Sequence, residues 1–249
     1  MGSTEGQVRG GQGHRYNPMP DPGHKLIATR RHTAGLLLIQ VGLAIGGTYL
    51  QSRPSGGPNV APTRSGIVLL YISMIALEWA QVWYVFGGIH NKGLRLLDLV
   101  GGRWNSWKNV SVDLAIALPF WVVWEAIARL VQSALGANHA KAIDVLLPQT
   151  WLEITLWLAL SASAGVCEEI VFRGYLQKQL QAFTGSIALA VVLQALVFGA
   201  GHAYQGAKQV VVISVLGALY GVLAAWRKNL RPGMIAHTLS DVVGGLLGC

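Results

Sequence analysis

The chain has 249 residues, of which 52% are hydrophobic and only 12% charged. A soluble domain carries about 25% charged residues, and here the apolar residues gather into runs of membrane-spanning length, which excludes a soluble globular domain and calls for an all-α, polytopic transmembrane bundle. The formal net charge of +8 is no argument for nucleic acid as a partner, because many basic residues fall in short loops between apolar runs, where they hold loops on the cytoplasmic side.

Residues 1–32 read as a polar tail rich in Gly and Pro, as in Gly10-Gly11-Gln12-Gly13 and Pro18-Met19-Pro20-Asp21-Pro22-Gly23. Nothing there can bury a core, so the tail is expected to be disordered. Gly2 is followed by Gly6 where a myristoylation signal needs Ser or Thr. Residues 33–249 are expected to form a single transmembrane domain of about seven spans, at 33–51, 65–87, 111–134, 151–180, 186–202, 209–226 and 232–247. The many glycines (31) suit close helix packing in lipid, and Trp104, Trp107 and Trp151 lie near expected interfaces. The 52–64 loop, with Pro54, Gly56-Gly57, Pro58 and Pro62, reads as irregular. The 88–109 loop sets Leu94, Leu96, Leu97 and Leu99 among basic residues and is expected to lie along the interface.

Basic residues set the expected orientation. The tail, the 88–109 loop (Lys92, Arg95, Arg103, Lys108) and the 227–231 loop (Arg227, Lys228, Arg231) are rich; the 135–150 loop has only Lys141, and Arg53 and Arg64 in the 52–64 loop fit less well. The pattern favours a cytoplasmic N-terminus in a multi-pass protein, expected in a bacterial plasma membrane. One difficulty follows. A straight helix over 186–202 is about 24 Å long and would carry His202 away from the cytoplasmic side, where His237 begins its own helix.

The chemistry concentrates in Cys167-Glu168-Glu169-Ile170-Val171-Phe172-Arg173. Charges at membrane depth cost about 2.5–3.5 kcal/mol each on insertion scales and persist where they pair or perform chemistry. Glu169 and Arg173 are four apart on a helix and can pair. Glu168 then lies about 100° around the axis, free to face a cavity and to act as a general base toward water. The plainer alternative is a buried ion pair with a spare glutamate. Phe198-x-x-x-His202 closes the next apolar segment at Gly199-Ala200-Gly201, and its alternative is a histidine reaching for the interface. His237-x-x-x-Asp241 places an imidazole and a carboxylate on one helix face, the alternative being a pair that only packs. Three such clusters in separate apolar regions are the parts of an intramembrane hydrolase. The two cysteines, Cys167 and Cys249, give no disulfide framework, and Cys167 reads as a buried structural thiol. Glu125 and Arg129 read as a self-neutralising pair, and Glu78 as packed or lining a cavity.

Glu168-Glu169-x-x-x-Arg173, Phe198-x-x-x-His202 and His237-x-x-x-Asp241 resemble the three signature motifs of the CPBP family, the type II CAAX prenyl endopeptidases and the bacteriocin-processing and immunity (Abi) proteins. The resemblance covers about 151–249, the expected catalytic core. It implies an intramembrane endopeptidase in which Glu168 activates water with help from His202, Glu169 and Arg173 hold the geometry, and His237 with Asp241 contributes to the oxyanion site. Asp241 stands where eukaryotic prenyl proteases typically carry asparagine; an ionised aspartate cannot donate to an oxyanion. No cofactor is certain. Glu168, His202 and His237 are suitable ligands for a divalent metal such as zinc and the family is labelled as metalloproteases, yet the His-Glu-x-x-His signature is absent and the site can be read without metal. The implied partners are a peptide or protein substrate, prenylated by analogy, and membrane lipid. The rival readings are a non-catalytic immunity or scaffold protein, and a small transporter, for which the paired repeats are missing.

Overall fold

The structure, a computed structural model, describes residues 25–52, 64–137 and 146–247. The tail up to residue 24, most of the 52–64 loop with Arg53, Lys141 and Cys249 lie outside the described residues. Among the described residues every regular element is helical: α1 (Arg30–Ser52), α2 (Arg64–His90), α3 (Leu96–Val100), α4 (Trp107–Leu135), α5 (Trp151–Glu168), a π-helical stretch (Glu169–Leu176), α6 (Gln177–Thr184), α7 (Ile187–Gly201), a 3₁₀ turn (Ala203–Gln205), α8 (Ala207–Arg227) and α9 (Arg231–Leu247). The fold is the expected polytopic helical bundle.

Five elements are long and apolar enough to cross a membrane: α1, α2, α4, the continuous rod Trp151–Thr184, and α8. The last two expected runs besides α8, at 186–202 and 232–247, form the shorter helices α7 and α9. Helix α7 has 15 residues, about 22 Å, short of the roughly 30 Å of a hydrocarbon core. Helix α9, with 17 residues, is also short and carries His237 and Asp241 within an amphipathic sequence.

Local signals fix the boundaries. Thr150 caps α5 by accepting from Glu153 N while the Glu153 carboxylate accepts from Thr150 N, a reciprocal capping box. Arg64 at the start of α2 pairs with that same carboxylate at 3.1 Å, tying the two helix starts together. Ser186 caps α7 and Ser106 caps α4. Gly185, at φ +68°, ends α6 in the left-handed conformation that favours glycine. Pro119 is carried inside α4, as membrane helices tolerate.

The rod Trp151–Thr184 is the axis of the bundle. Helices α2 and α9 lie along α5, the α7–α8 pair packs on α6 and the π stretch, and α4 closes on α8 and α9. The main core joins both halves of the chain, with Leu36, Val82, Val85 and Ile89 meeting Ile170, Val171, Phe172 and Leu176.

One sequence expectation changes here. The disordered tail was expected to reach residue 32, but Ile27 and Ala28 are buried and their N–H groups donate to the Gln179 amide oxygen at 2.8 and 3.3 Å, with α1 starting at Arg30. The physical reason is Gln179, fully buried on α6, whose amide also donates to Ala28 O and Thr33 Oγ1. The 88–109 loop docks on protein. Leu99 is 1% exposed and joins the main core, and Val100 O accepts from Leu230 N. Its anchor is Asp113, near the start of α4, which accepts from Trp104 Nε1 and Asn229 Nδ2 at 2.8 and 3.1 Å and forms an ion pair with the Arg231 guanidinium, Nε at 2.9 Å.

Candidate active site

Helix α5 hands over to the π stretch between Glu168 and Glu169. A π segment adds a residue per turn and recurs at functional sites. Here it leaves one glutamate at the edge of the core and the next inside it. All eight residues of the stretch are buried. Glu169 and Arg173 side chains have no exposed surface, and Arg173 Nη1 donates to Glu169 Oε1 at 2.9 Å. The other arm, Nη2, donates to Gly217 O on α8 at 3.1 Å. The guanidinium also faces the rings of Phe198 and Tyr220, at 4.4 and 5.2 Å, so its charge is met by a carboxylate, a carbonyl and two aromatic faces. Gly217 is needed for this: a Cβ there would lie 2.9 Å from the Phe198 ring and 3.3 Å from Nη2.

Helix α9 brings His237 onto both glutamates. Its Nδ1 lies 3.3 Å from Glu169 Oε1, and Nε2 lies 3.5 Å from Glu168 Oε2 and 3.8 Å from Asp241 Oδ2. An ionised carboxylate only accepts, so Nδ1 is the donor to Glu169. The ring stacks on Tyr220 at 5.2 Å, which fixes its plane. Glu168 keeps 23% of its side chain exposed and Asp241 34%, against none for Glu169 and Arg173. The site is thus layered: a sealed ion pair below, His237 between, and two accessible carboxylates above.

His202 is placed differently. It follows the last residue of α7, and its Nδ1 lies 2.9 Å from Phe198 O. A carbonyl can only accept, so Nδ1 carries the proton and Nε2 is the nitrogen left for other partners. The Phe198 ring stands between the histidines, 4.9 Å from His202 and 6.1 Å from His237. Among the described residues His202 makes no ion pair with Glu168; the histidine against Glu168 is His237. The difficulty seen in sequence is met by packing: the Phe198 ring, one turn before His202, lies against both histidines.

Sequence reasoning missed two tyrosines. Tyr220 of α8, 1% exposed, packs under His237 and beside Arg173. Tyr204, in the 3₁₀ turn two residues past His202, lies near that ring at 6.2 Å and accepts from Gln205 Nε2 at 3.0 Å. Burial, opposed by the Gln205 hydrogen bond and reinforced by Glu168 and Asp241 nearby, holds the Tyr204 hydroxyl above the ordinary tyrosine range. It therefore stays a donor at neutral pH. Tyr204's place after His202 was a usable signal; Tyr220, 17 positions before His237, had none.

The remaining candidates fall outside this cluster or at its edge. Cys167 is buried, with its Sγ 3.8 Å from Ser163 Oγ. Glu125 and Arg129 pair at 3.9 Å on α4. The zinc expectation is not supported by the donor geometry. His237 turns both ring nitrogens to carboxylates, His202 commits Nδ1 to a carbonyl, and among the described residues no three His, Cys, Asp or Glu side chains are grouped to hold a metal ion.

Residues 150–243 match the family model described as type II CAAX prenyl endopeptidase Rce1-like, while no curated protein and no solved structure matches the chain. The matched segment starts at Thr150, the cap of α5, and contains Glu168, Glu169, Arg173, His202, His237 and Asp241; residues 1–149 lie outside it. Residues 150–243 are therefore similar to the type II CAAX prenyl endopeptidase, Rce1-like, family of peptidases.

Proposed function

We propose that the chain is an intramembrane endopeptidase in which Glu168 takes a proton from water as the water oxygen attacks the scissile carbonyl. The observation that carries this is the layering around His237: an accessible Glu168 carboxylate faces Nε2, while Nδ1 is held by the sealed Glu169–Arg173 pair. A carboxylate so placed is within general-base reach of a water in the opening. As the C–O bond forms, negative charge develops on the carbonyl oxygen. His237 and the Tyr204 hydroxyl are the donors able to stabilise it. Asp241 has the opposite part: 3.8 Å from Nε2, its carboxylate is a counter-charge to the imidazole. Nε2 of His202 orients the water. The proton held on Glu168 then passes to the leaving nitrogen as the C–N bond breaks, which returns Glu168 to its starting state. The residues suffice for each proton transfer.

The substrate reading is a peptide carrying a lipid chain. It is supported by an apolar cleft of about 600 Å³ between α1 and the end of α7, lined by Val41, Ala44, Ile45, Val197 and Ala200 and reaching Gly201 and Ala203, the neighbours of His202. A chain in that cleft would leave its attached peptide beside the histidine. The N-terminus is proposed to face the cytoplasm, on the loop charges alone. The deciding experiment is cleavage of a prenylated reporter peptide by detergent-purified protein. Glu168→Gln is expected to lower turnover by a factor of about 10² or more with an unchanged melting curve. Turnover near wild type in that variant overturns the proposal.

A further inference from the structure

The register of α9 on α5 is set by contacts at successive levels. Trp157 lies against Asp241 and Gly245, Gly165 against Met234 and Thr238, and Glu168 against His237. Rising numbers on α5 meet falling numbers on α9, so the two helices run antiparallel. At the middle level a Cβ on Gly165 would lie 2.8 Å from Thr238 N and 3.0 Å from Met234 O, so backbone meets backbone. At the far level a Cβ on Gly245 would overlap the Trp157 indole, which occupies space that only glycine leaves free. There Trp157 Nε1 donates to Asp241 O at 2.9 Å. A carbonyl oxygen has two lone pairs and can take this donor besides its place in the helix. The indole is itself held. Its ring meets the Tyr71 ring edge-on at 5.6 Å, and Tyr71, fully buried on α2, donates its hydroxyl to Leu146 O. Packing alone would be met by any large ring at position 157. An indole N–H inside a bundle needs an acceptor, and here the acceptor is the backbone of a residue whose carboxylate stands 3.8 Å from His237 Nε2.

We propose that Trp157 is a positioning residue of the active site: its N–H pins the Asp241 turn of α9 to α5 and so holds His237 and Asp241 at their distances from Glu168. The inference rests on Glu168 acting as the base with those two side chains beside it. Residues 237 and 241 are one helical turn apart, so a fixed carbonyl at 241 fixes the height and rotation of the turn that carries both. Gly165 sets how closely the helices approach, but a close approach alone lets α9 slide or roll. A hydrogen bond is directional and resists both movements. The demand is strict, because a misplacement of about 1 Å can cost about 10² in rate. Through Tyr71 against the same indole, helix α2, outside the family match, supports the site without carrying any of the three motifs.

The test is steady-state cleavage of the reporter peptide by the full chain, with kcat expressed per folded molecule. Trp157→Phe keeps a ring and loses the donor, so kcat is expected to fall by about tenfold while KM holds. Replacing the indole by benzothiophene keeps both rings and drops only the N–H. It is expected to lower kcat in the same way, which covers failure of the phenylalanine variant to fold. A double-mutant cycle with Asp241→Ala reads the coupling: a tie acting through this turn makes the combined loss of kcat smaller than the product of the two single losses. A residue that only packs would change melting temperature and leave kcat per folded molecule in place. Wild-type kcat in either folded variant, or losses that multiply in full, overturns the inference. Wild-type cleavage by Glu168→Gln would instead defeat the general-base reading and this inference with it, so the two failures are distinguishable.

Discussion

The two halves of this chain spend their apolar residues differently. In the membrane-length windows of α1, α2 and α4, 17%, 17% and 11% of residues are buried inside the protein, against 50% for the rod Trp151–Thr184 and 44% for α8. The N-terminal helices present most of their surface outward, with Leu38, Leu69, Trp83 and Leu130 well exposed, as suits a lipid solvent. The C-terminal half buries charge instead, and Glu169, Arg173 and His237 sit where both water and lipid are excluded. An excluded charge must be satisfied inside the protein, so this half is bound by geometric demands that the other escapes. The halves then meet through a few polar ties. Arg64 holds Glu153, His32 Nδ1 meets the Tyr175 hydroxyl at 2.8 Å, Gln179 binds the chain before α1, and Asp113 receives the α8–α9 turn.

The sharpest way to break this contrast is to remove one member of the sealed pair. Arg173→Ala leaves Glu169 with no cation but His237, and breaking a buried pair costs about 3–5 kcal/mol. Melting temperature and peptide cleavage are expected to fall together. A variant that melts like wild type would show that the pair is not what holds α8 against the π stretch.

Asp113→Asn tests a tie between the halves. The amide keeps one acceptor but loses the charge that meets Arg231 and Arg227, at 2.9 and 3.7 Å. Hydrogen bonds to charged groups are worth about 1.5–3 kcal/mol, so a smaller loss of stability than for Arg173→Ala is expected. Because Asp113 lies outside the catalytic cluster, KM and the pH profile of the folded fraction should hold. A shifted pH profile would mean that the tie transmits to the site.

Which parts were legible follows from the same contrast. Glu169–Arg173 and His237–Asp241 were readable because both members of each pair sit one turn apart on the same element. The fold class was readable from apolar run length. What escaped was every relation across elements. Asp113 finds Asn229, 116 positions away. Gln179 reaches Ile27, 152 positions away, and so orders residues that composition alone marks as tail. His237, and not His202, stands against Glu168, because α9 packs along α5. The added residue per turn of the π stretch leaves no periodic trace.

The smallest effects separate the halves by sign. Gly217→Ala puts a methyl against the Phe198 ring and the Arg173 guanidinium, with the Ala195 backbone 3.5 Å away. The Phe198 ring, 2.9 Å from the added methyl, is 5% exposed and held against Phe172 and Arg173, so it has little room to shift, and overpacking of this kind costs about 1–3 kcal/mol. Gly42 on α1 has nothing within 4 Å of an added Cβ. Gly42→Ala therefore meets no clash and gains the helix preference of alanine over glycine, at most about 1 kcal/mol. Thermal melting of the two variants side by side should show Gly217→Ala below wild type and Gly42→Ala level with it or above. Cleavage should fall only in the first, since Gly217 supports the arginine that holds Glu169. Equal destabilisation by both would mean that α1 is packed as closely as α8, against an added surface such as a second copy of the chain. Then the difference in burial between the halves would belong to the isolated chain alone.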